Sequence, residues 1–454
     1  MAAVNPRRKF LSLAAVAALC IASTAAAVPV DPGPRAGAPA AGAPLPGLTP
    51  AELAQFQAGL EAFLEVDSVQ GGVAGEEDAG LGPRFNSNGC NSCHSQPASG
   101  GTSPAMNPQV AVAKLDGAQN NVPWFVVPDG PVREMRFKRN PDGTADGGVH
   151  ALFTIAGRID APGCTLADIQ QPSFGTAGDG LTGQGGDANI VFRIPTPVFG
   201  AGLIEEIPDS AILTNLASAP LLKKALGITG QPNRSGNDGT ITRFGWKAQN
   251  KSLLIFASEA YNVEQGVTNM GFPTERDETP DCLFNRLPED QFEPTAATAV
   301  DALPDVVKFA MFMRFLAPPA PAPDTTSIAN GRALFTKIGC ALCHTPRLRT
   351  GNADSTALRN VDAKLYSDLL VHRMGVGLAD GVSQGGAGPG EFRTAPLWGL
   401  GQRLFFLHDG RTTDALQAIR SHASTGSEAN AVIGNFAGLT DSQKQDILNF
   451  LRSL

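Results

Sequence analysis

Two stretches of this sequence decide its interpretation: Cys90-Asn-Ser-Cys93-His94 and Cys340-Ala-Leu-Cys343-His344. Both follow the pattern Cys-x-x-Cys-His, which is the covalent attachment site of a c-type haem. The spacing follows from the chemistry, because two thiols add to the two vinyl groups of one porphyrin and the adjacent histidine lies under the iron. The sequence therefore predicts two covalently bound haem c groups, with His94 and His344 as axial iron ligands.

Zinc half-sites are the alternative interpretation of these motifs. A structural zinc ion would need a second pair of cysteines or histidines close to each motif. The sequence has no such pair near either motif, so haem is favoured. Two other cysteines, Cys164 and Cys282, could pair in an oxidising compartment. Their separation in sequence neither supports nor excludes that disulfide.

The N-terminus predicts export. Cationic residues 7–9 precede an apolar run from residue 10 to about 21, and Ala25-Ala26-Ala27 supplies small residues for cleavage. This pattern indicates a signal peptide at residues 1–27 that is removed from the mature protein. Its apolar run is too short for a membrane anchor. Residues 7–11 also resemble a twin-arginine signal, but c-type haem is usually attached after export, so we expect the general secretory route and a periplasmic location.

Composition limits the classes of function. The 454-residue chain has a net charge of −8, and it has no basic patch, which argues against a nucleic-acid partner. Its 24 phenylalanines suit an apolar cofactor pocket. An acidic surface suits a small basic electron-donor protein, such as a cytochrome c or a cupredoxin.

The predicted fold is mainly α, with two cytochrome c-like haem domains, the first enlarged by loop-rich insertions with a few short strands. Pro, Gly and Ala dominate residues 28–47, which predicts a flexible leader. A Pro-rich linker at 318–323 then separates an N-terminal haem domain (48–317) from a C-terminal cytochrome c domain (324–454).

Apolar periodicity and capping residues predict the main helices. One begins after Thr49 and precedes the first motif, one precedes the second motif, and one begins after Thr440 and closes the chain. Further helices are expected at 208–226, 251–263 and 301–316, and strands at 124–127 and 151–155.

Several segments together resemble the di-haem oxidoreductase family, also labelled thiol oxidoreductases, which is related to bacterial di-haem cytochrome c peroxidases and to the MauG enzymes. They span most of residues 50–454 and are Gly82-Pro-Arg-Phe-Asn86, Arg243-Phe-Gly-Trp-Lys-Ala-Gln249, Tyr366-Ser-Asp-Leu-Leu370, Glu391-Phe-Arg-Thr-Ala-Pro-Leu-Trp398 and Phe406-Leu-His-Asp-Gly-Arg411. The last two are the most specific. The resemblance implies reaction with hydrogen peroxide at one haem and arrival of electrons through the other.

The resemblance also implies a distal ligand for the second haem. In related peroxidases, that ligand follows the histidine of the His-Asp-Gly turn at a fixed separation and is often methionine. The corresponding residue here is His422, and His in place of Met would lower the reduction potential of that haem. Met374 is the alternative ligand. For the first haem, His150 and Met106 are the candidates, and an open iron site is the third option.

Two residues of the resemblance bear on catalysis. Trp246 matches a tryptophan that lies between the two haems of related peroxidases, and Glu264 matches the segment that carries their distal glutamate. Cleavage of the O–O bond needs a base that takes the proximal proton of peroxide and returns it to the leaving oxygen. A carboxylate with a pKa raised by burial could do both. Glu259 is a close alternative.

The sequence departs from the family pattern at the residues that bind calcium. Related enzymes hold it between the haems with two backbone carbonyls and an asparagine. Thr394-Ala395-Pro396 matches the carbonyl donors, but Ile194 stands where the asparagine should be. Because calcium needs several oxygen ligands, the sequence leaves its presence open.

Three functions are compatible with these motifs. A peroxidase-type enzyme is favoured, and the size and long middle insertion fit it or an oxidase better than a pure electron carrier, which needs little beyond its haem pockets. The alternatives are a non-enzymatic di-haem carrier and an oxidase of a protein or organic substrate, as in the MauG enzymes.

Overall fold

A computed structural model of the protein describes residues 1–2, 28–167 and 189–454. The predicted signal peptide, apart from its first two residues, lies outside this described part. Among the described residues, no helix combines the length and the apolar character needed to cross a bilayer.

Short helices and very short strands are joined by long irregular segments. Helices account for 29% and strands for 12%, so the expected mainly α class is corrected to a mixed one. The 51 glycines and 35 prolines explain the irregular segments, because both residue types interrupt regular backbone structure.

The helices are α1 (Pro50–Leu64), α2 (Cys90–Cys93), α3 (Gln109–Val112), α4 (Ala201–Glu205), α5 (Asp209–Ala217), α6 (Pro220–Leu226), α7 (Leu253–Gln265), α8 (Asp305–Phe315), α9 (Thr326–Ile338), α10 (Ala415–Arg420), α11 (Asn430–Ala437) and α12 (Asp441–Ser453). The strands are β1 (Asp67–Ser68), β2 (Asp78–Ala79), β3 (Arg84–Phe85), β4 (Glu134–Phe137), β5 (Val149–His150), β6 (Phe153–Thr154), β7 (Ile190–Arg193), β8 (Leu348–Arg349), β9 (Asp362–Ala363), β10 (Val371–Arg373) and β11 (Glu391–Arg393).

Helices α1, α7 and α8 surround the first motif. Thr49 caps α1 in a capping box with Glu52, as the sequence predicts. Helix α1 crosses α8 so closely that a Cβ added at Gly59 would lie 2.3 Å from the carbonyl oxygen of Lys308. Phe63 of α1 packs on Phe312 of α8 with ring centroids 4.7 Å apart. This packing forms the apolar wall behind the first motif.

Helices α9 and α12 pack together beside the second motif. A Cβ at Gly331 of α9 would lie 2.0 Å from the carbonyl oxygen of Asp446 in α12, so glycine is required at this crossing. Both helices were predicted, as were α7 and α8. The helix expected at 208–226 is instead two helices, α5 and α6, because Pro220 starts a new helix.

A three-stranded antiparallel sheet, in the order β5-β4-β7, carries polar residues to the first motif. The predicted strand at 151–155 is found in part, as β6. The strand predicted at 124–127 is wrong, because Pro123 starts a turn there, in which the Val126 amide donates to the Pro123 carbonyl. Cys164 and Cys282 form a buried disulfide, which settles a pairing that the sequence left open.

The predicted leader, residues 28–47, is anchored rather than free. Asp31 accepts hydrogen bonds of 2.7 and 2.6 Å from the Arg452 guanidinium, and the Leu45 amide donates to the Phe315 carbonyl at 2.7 Å. The hydrophobic core that contains Leu45 also includes Leu365, which lies beyond the Pro-rich segment 318–323. Packing therefore continues across the predicted domain boundary, which stays a prediction.

Candidate functional site

Two large cavities lie at the two Cys-x-x-Cys-His motifs. The first cavity is the one lined by Cys90, Cys93 and His94, and it holds about 1190 Å³ of space outside protein atoms, its open mouth included. The second cavity is the one lined by Cys340, Cys343 and His344, and it holds about 1370 Å³ on the same measure. All four of these cysteines are free thiols rather than disulfide partners.

In the first cavity, His94 is held ready to bind a metal. Its Nδ1 lies 3.0 Å from the carbonyl oxygen of Gly101, so Nδ1–H donates there and Nε2 remains available. The edge of the Phe63 ring packs against the imidazole, with centroids 6.1 Å apart. Burial lowers the pKa of His94, which favours the neutral form that ligates iron.

In the second cavity, two imidazoles are each held by a hydrogen bond from Nδ1 to a backbone carbonyl. The Nδ1 of His344 lies 3.0 Å from the Tyr366 carbonyl oxygen, and the Nδ1 of His422 lies 2.8 Å from the Ala418 carbonyl oxygen. The two ring centroids are 6.5 Å apart. Metal–nitrogen bonds of about 2 Å on each side would put two axial imidazole centroids roughly 6 Å apart. The separation of the two rings is thus compatible with one metal atom held by both imidazoles, and His422 stays the predicted second ligand.

Met374 and His372 also line the second cavity. Both ring nitrogens of His372 are already used, since they lie 2.9 Å from the carboxylates of Asp368 and Glu428. Burial alone would lower the pKa of His372, but the Asp368 carboxylate raises it well above its ordinary value. Two carboxylates thus favour the protonated form of His372, and Met374 stays the alternative ligand predicted from the sequence.

Buried guanidinium groups complete both cavities. Arg393 and Arg403 line the second, and burial lowers the pKa of each to about 10. Neither forms an ion pair with any described residue, and Nη1 of Arg393 has no hydrogen-bond partner. In the first cavity, Arg133 and Arg193 each have a buried Nε without a partner. Arg193 is nevertheless paired with Asp380 through its Nη2, whereas Arg133, Arg393 and Arg403 have no carboxylate partner among the described residues. Buried cations without such a partner favour an anionic ligand.

The residues of both cavities fit a c-type haem. Each cavity offers two thiols for the vinyl groups and a histidine with a free Nε2 for the iron. Guanidinium groups without a carboxylate partner, Arg133 in the first cavity and Arg393 and Arg403 in the second, would suit the propionates. When bound, haem supplies a redox-active iron and, where an axial position is free, a place for a small ligand.

Carboxylates are more numerous in the first cavity than in the second, where Glu428 contacts His372. Glu264 and Glu259 of α7 and Glu134 of β4 line the first cavity. Burial, and then the neighbouring Glu134 carboxylate, raise the pKa of Glu264 to about 8. Glu259 instead accepts a hydrogen bond from the Asn250 side chain. Glu264 is therefore the carboxyl group whose proton affinity suits transfer near neutral pH.

Trp246 lines both cavities. It is 8% exposed, and its indole Nε1–H donates to the Ile194 carbonyl oxygen at 2.9 Å. The Arg393 amide donates to the Trp246 carbonyl oxygen at 2.9 Å. Hydrogen bonds therefore hold both the indole and the backbone carbonyl of Trp246, at a position that borders both cavities.

His150 and Met106 do not line the first cavity. His150 stacks on Phe137 with ring centroids 3.8 Å apart, and its Nε2 lies 2.8 Å from Asp146. The Met106 side chain is 67% exposed. The prediction of either residue as a ligand to the first iron is corrected accordingly, because a polar partner or solvent already surrounds each side chain.

Sequence reasoning missed the guanidinium groups and Glu134. Arg393 lies in the Glu391–Trp398 segment that carries the family resemblance, so its place in that motif was the available signal. Arg403 and Glu134 had none, because burial of a charged side chain leaves no mark on a single sequence.

The sequence of this chain matches one family model. The family model described as "Di-haem oxidoreductase, putative peroxidase" matches residues 176–454. No curated protein sequence matches the chain.

Solved structures give weaker similarity. The di-haem peroxidase BthA from Burkholderia thailandensis is 14% identical with a TM-score of 0.27, over 57% of this chain and 86% of that one. A MauG-like protein associated with microbial copper homeostasis is 16% identical with a TM-score of 0.26, over 57% and 89%. Hydrazine synthase from Kuenenia stuttgartiensis is 16% identical with a TM-score of 0.22. That alignment covers 35% of this chain and 56% of the length of the hydrazine synthase chain.

These TM-scores are too low to support an argument, so the assignment depends on the family model. That match covers more than half of the 454 residues and includes the second motif, Trp246, Glu264 and His422. The chain therefore belongs to the di-haem oxidoreductase family.

Proposed function

We propose that this protein is a periplasmic di-haem c-type oxidoreductase that reduces hydrogen peroxide at the first cavity, with electrons arriving through the second. The supporting observation is the asymmetry of the two cavities. The second has two imidazoles, of His344 and His422, at the spacing of paired axial ligands. Among the described residues lining the first, His94 is the only histidine, and the cavity is rich in carboxylates. One iron would be closed to ligands and the other open.

Proton transfer in the first cavity is assigned to Glu264. Reduction of hydrogen peroxide consumes two electrons and two protons and yields two water molecules. The Glu264 carboxylate takes the proton from the oxygen nearer the iron and returns it to the leaving oxygen, which departs as water. A pKa of about 8 makes the carboxyl group a base strong enough for the first step and an acid strong enough for the second.

Electron delivery is assigned to the second cavity and to Trp246. A small donor protein, such as a cytochrome c or a cupredoxin, would reduce the second haem one electron at a time. Trp246 borders both cavities and lies on the path from one haem to the other. The net charge of −8 favours a basic donor.

Spectroscopy of the half-reduced protein tests the proposal. Mass spectrometry should first find two covalent haems and a mature N-terminus at or near Val28. We then expect one low-spin and one high-spin haem after one-electron reduction, peroxide binding to the high-spin haem, and peroxide-dependent oxidation of a reduced cytochrome.

Two low-spin haems that do not respond to peroxide would contradict the proposal and indicate an electron carrier. In that event Met313, the thioether that lines the first cavity, is the ligand to replace first.

A further inference from the structure

Three charged side chains form a buried cluster beside the two cavities. Arg193 donates to Asp380 at 2.7 Å, and Lys247 Nζ lies 3.2 Å from the same carboxylate. The three side chains are 2%, 2% and 0% exposed, in the order Arg193, Asp380, Lys247. We call these three residues the ion cluster. Charges so deeply buried persist only when they are paired and hydrogen-bonded.

The ion cluster meets that requirement. Lys247 Nζ donates to the carbonyl oxygens of Gly388 and Glu391 at 2.9 and 2.8 Å, and it lies 4.0 Å from the centroid of the Phe392 ring. Burial alone would raise the pKa of Asp380, but Arg193 and Lys247 hold it below its ordinary value. The carboxylate therefore stays ionised between two cations.

Two residues of the ion cluster are direct neighbours in sequence of Trp246 and of the residue that accepts its indole hydrogen bond. Lys247 follows the tryptophan directly, and Arg193 precedes Ile194, whose carbonyl oxygen accepts the indole hydrogen bond. Asp380 belongs to the C-terminal part of the chain and joins these two N-terminal segments to each other. Movement of Lys247 would therefore shift the backbone of Trp246, and movement of Arg193 would shift the Ile194 carbonyl that accepts the indole hydrogen bond.

The same region does not fit a calcium ion. Ile194 provides no side-chain oxygen, and its carbonyl is taken by the indole. The Thr394 carbonyl, one of the expected donors, accepts a hydrogen bond of 2.5 Å from the Ser367 hydroxyl. Calcium requires six to eight oxygens, and two buried cations close by would repel it.

We infer that the ion cluster of Arg193, Asp380 and Lys247, rather than a bound calcium ion, holds Trp246 between the two cavities. The inference rests on the proposed function in one respect, since it takes both cavities to contain haem. Lys247 and Asp380 line neither cavity, and Arg193, which borders the first, is paired with Asp380. The three are therefore positioning residues that act through the tryptophan.

The first test uses the wild-type holoprotein without peroxide. Flash reduction of the second haem, followed by the spectrum of the first, gives the rate of electron transfer between them. We expect no bound calcium by elemental mass spectrometry, and the same rate with EGTA as with added calcium chloride. Stoichiometric calcium, or a rate that EGTA lowers, would overturn the inference. Absence of peroxidase activity would leave this measurement intact and would count only against the proposed function.

The second test changes the cluster. Asp380→Asn should slow inter-haem transfer by about tenfold to a hundredfold, since a displacement of about 1 Å can cost that much. Asp380→Glu should restore part of the rate. Asp362→Asn, in an exposed ion pair with Arg349, is the matched control and should change nothing.

A rate in Asp380→Asn equal to the wild type, with both haems attached, would refute the role of the cluster. If that variant fails to fold, Lys247→Gln, which keeps the pair of Arg193 with Asp380, is measured instead, and an unchanged rate there is equally decisive.

Discussion

The imidazole rings of His344 and His422 both line the second cavity, with centroids 6.5 Å apart and planes tilted by 59°. Each ring is fixed from behind by a hydrogen bond from Nδ1 to a backbone carbonyl. This arrangement leaves room for one metal atom between the two Nε2 atoms and defines the first prediction.

Replacement of His422 should change the second haem alone. His422→Met should raise its reduction potential, because thioether ligation favours ferrous iron, and His422→Ala should convert it to a high-spin form. Potentiometric titration and electron paramagnetic resonance measure both effects. A low-spin spectrum that survives in His422→Ala would identify Met374 as the ligand to test next.

Replacement of Glu264 should abolish most turnover with peroxide. Glu264→Gln retains the shape and hydrogen-bonding capacity of the side chain but cannot carry a proton, so we expect a loss of ~10²–10⁴ in rate. In the wild type, turnover should increase as the pH rises towards 8, since the deprotonated carboxylate accepts the first proton. Glu259→Gln is the control, and a larger loss in that variant would transfer the role to Glu259.

The same Glu264→Gln substitution should stabilise the fold at neutral pH. The folded-state pKa of about 8 exceeds the ordinary value of 4.5, so the folded state keeps a proton that the unfolded state loses between these pH values. The free energy of unfolding therefore falls as the pH rises through that window. Glutamine removes this cost. The Tm of Glu264→Gln should therefore exceed that of the wild type by more at pH 7 than at pH 4, which checks the sign.

Removal of a guanidinium group should lower the potential of the second haem. Arg403→Gln takes away a buried positive charge, and loss of positive charge favours the more oxidised iron. Redox titration should detect a decrease in that potential and none in the other. Arg347→Gln, whose side chain is 69% exposed, is the control; an equal shift in both variants would rule out a local effect.

The anchored leader gives a prediction about stability. Asp31 and Arg452 form an ion pair with side chains 8% and 4% exposed, so Asp31→Asn should lower the free energy of unfolding by about 3 kcal/mol. Burial alone would raise the pKa of Asp31, but Arg452 holds it below 3.8. The stabilisation is thus present above pH 3.8 and is lost as the pH falls through the lower folded-state value.

Chemical denaturation provides the measurement for Asp31→Asn. The exposed pair of Asp324 with Arg332 is the control, and Asp324→Asn should leave the free energy of unfolding nearly unchanged, because surface ion pairs contribute little. Similar losses in the two variants would show that the leader contributes no special stability.

The parts of the fold that local chemistry decides were predictable. Thr49 and Thr440 mark helix starts because each caps its helix with its own side chain, and the spacing of the cysteines in each motif is imposed by the porphyrin. Resemblance to the family directed attention to Trp246, Glu264 and His422, all of which line a cavity.

The parts that depend on long-range packing were not predictable. His150 was a candidate because a histidine can ligate iron, but only tertiary structure shows that Asp146 and Phe137 occupy its ring. Arg403 is one of many charged residues in the sequence, and its burial depends on segments far away. The leader was expected to be flexible because of its composition, whereas Arg452, more than 400 residues away, fixes it.

The contact between Asp31 and Arg452 joins residues 421 positions apart, and this has a consequence for maturation. Synthesis from the N-terminus produces the first Cys-x-x-Cys-His motif long before α12 exists. During that interval the leader can already pair with the 315–317 segment through Leu45, but Asp31 still lacks Arg452. The last helix therefore supplies the final anchor of the leader, after both Cys-x-x-Cys-His motifs have been made.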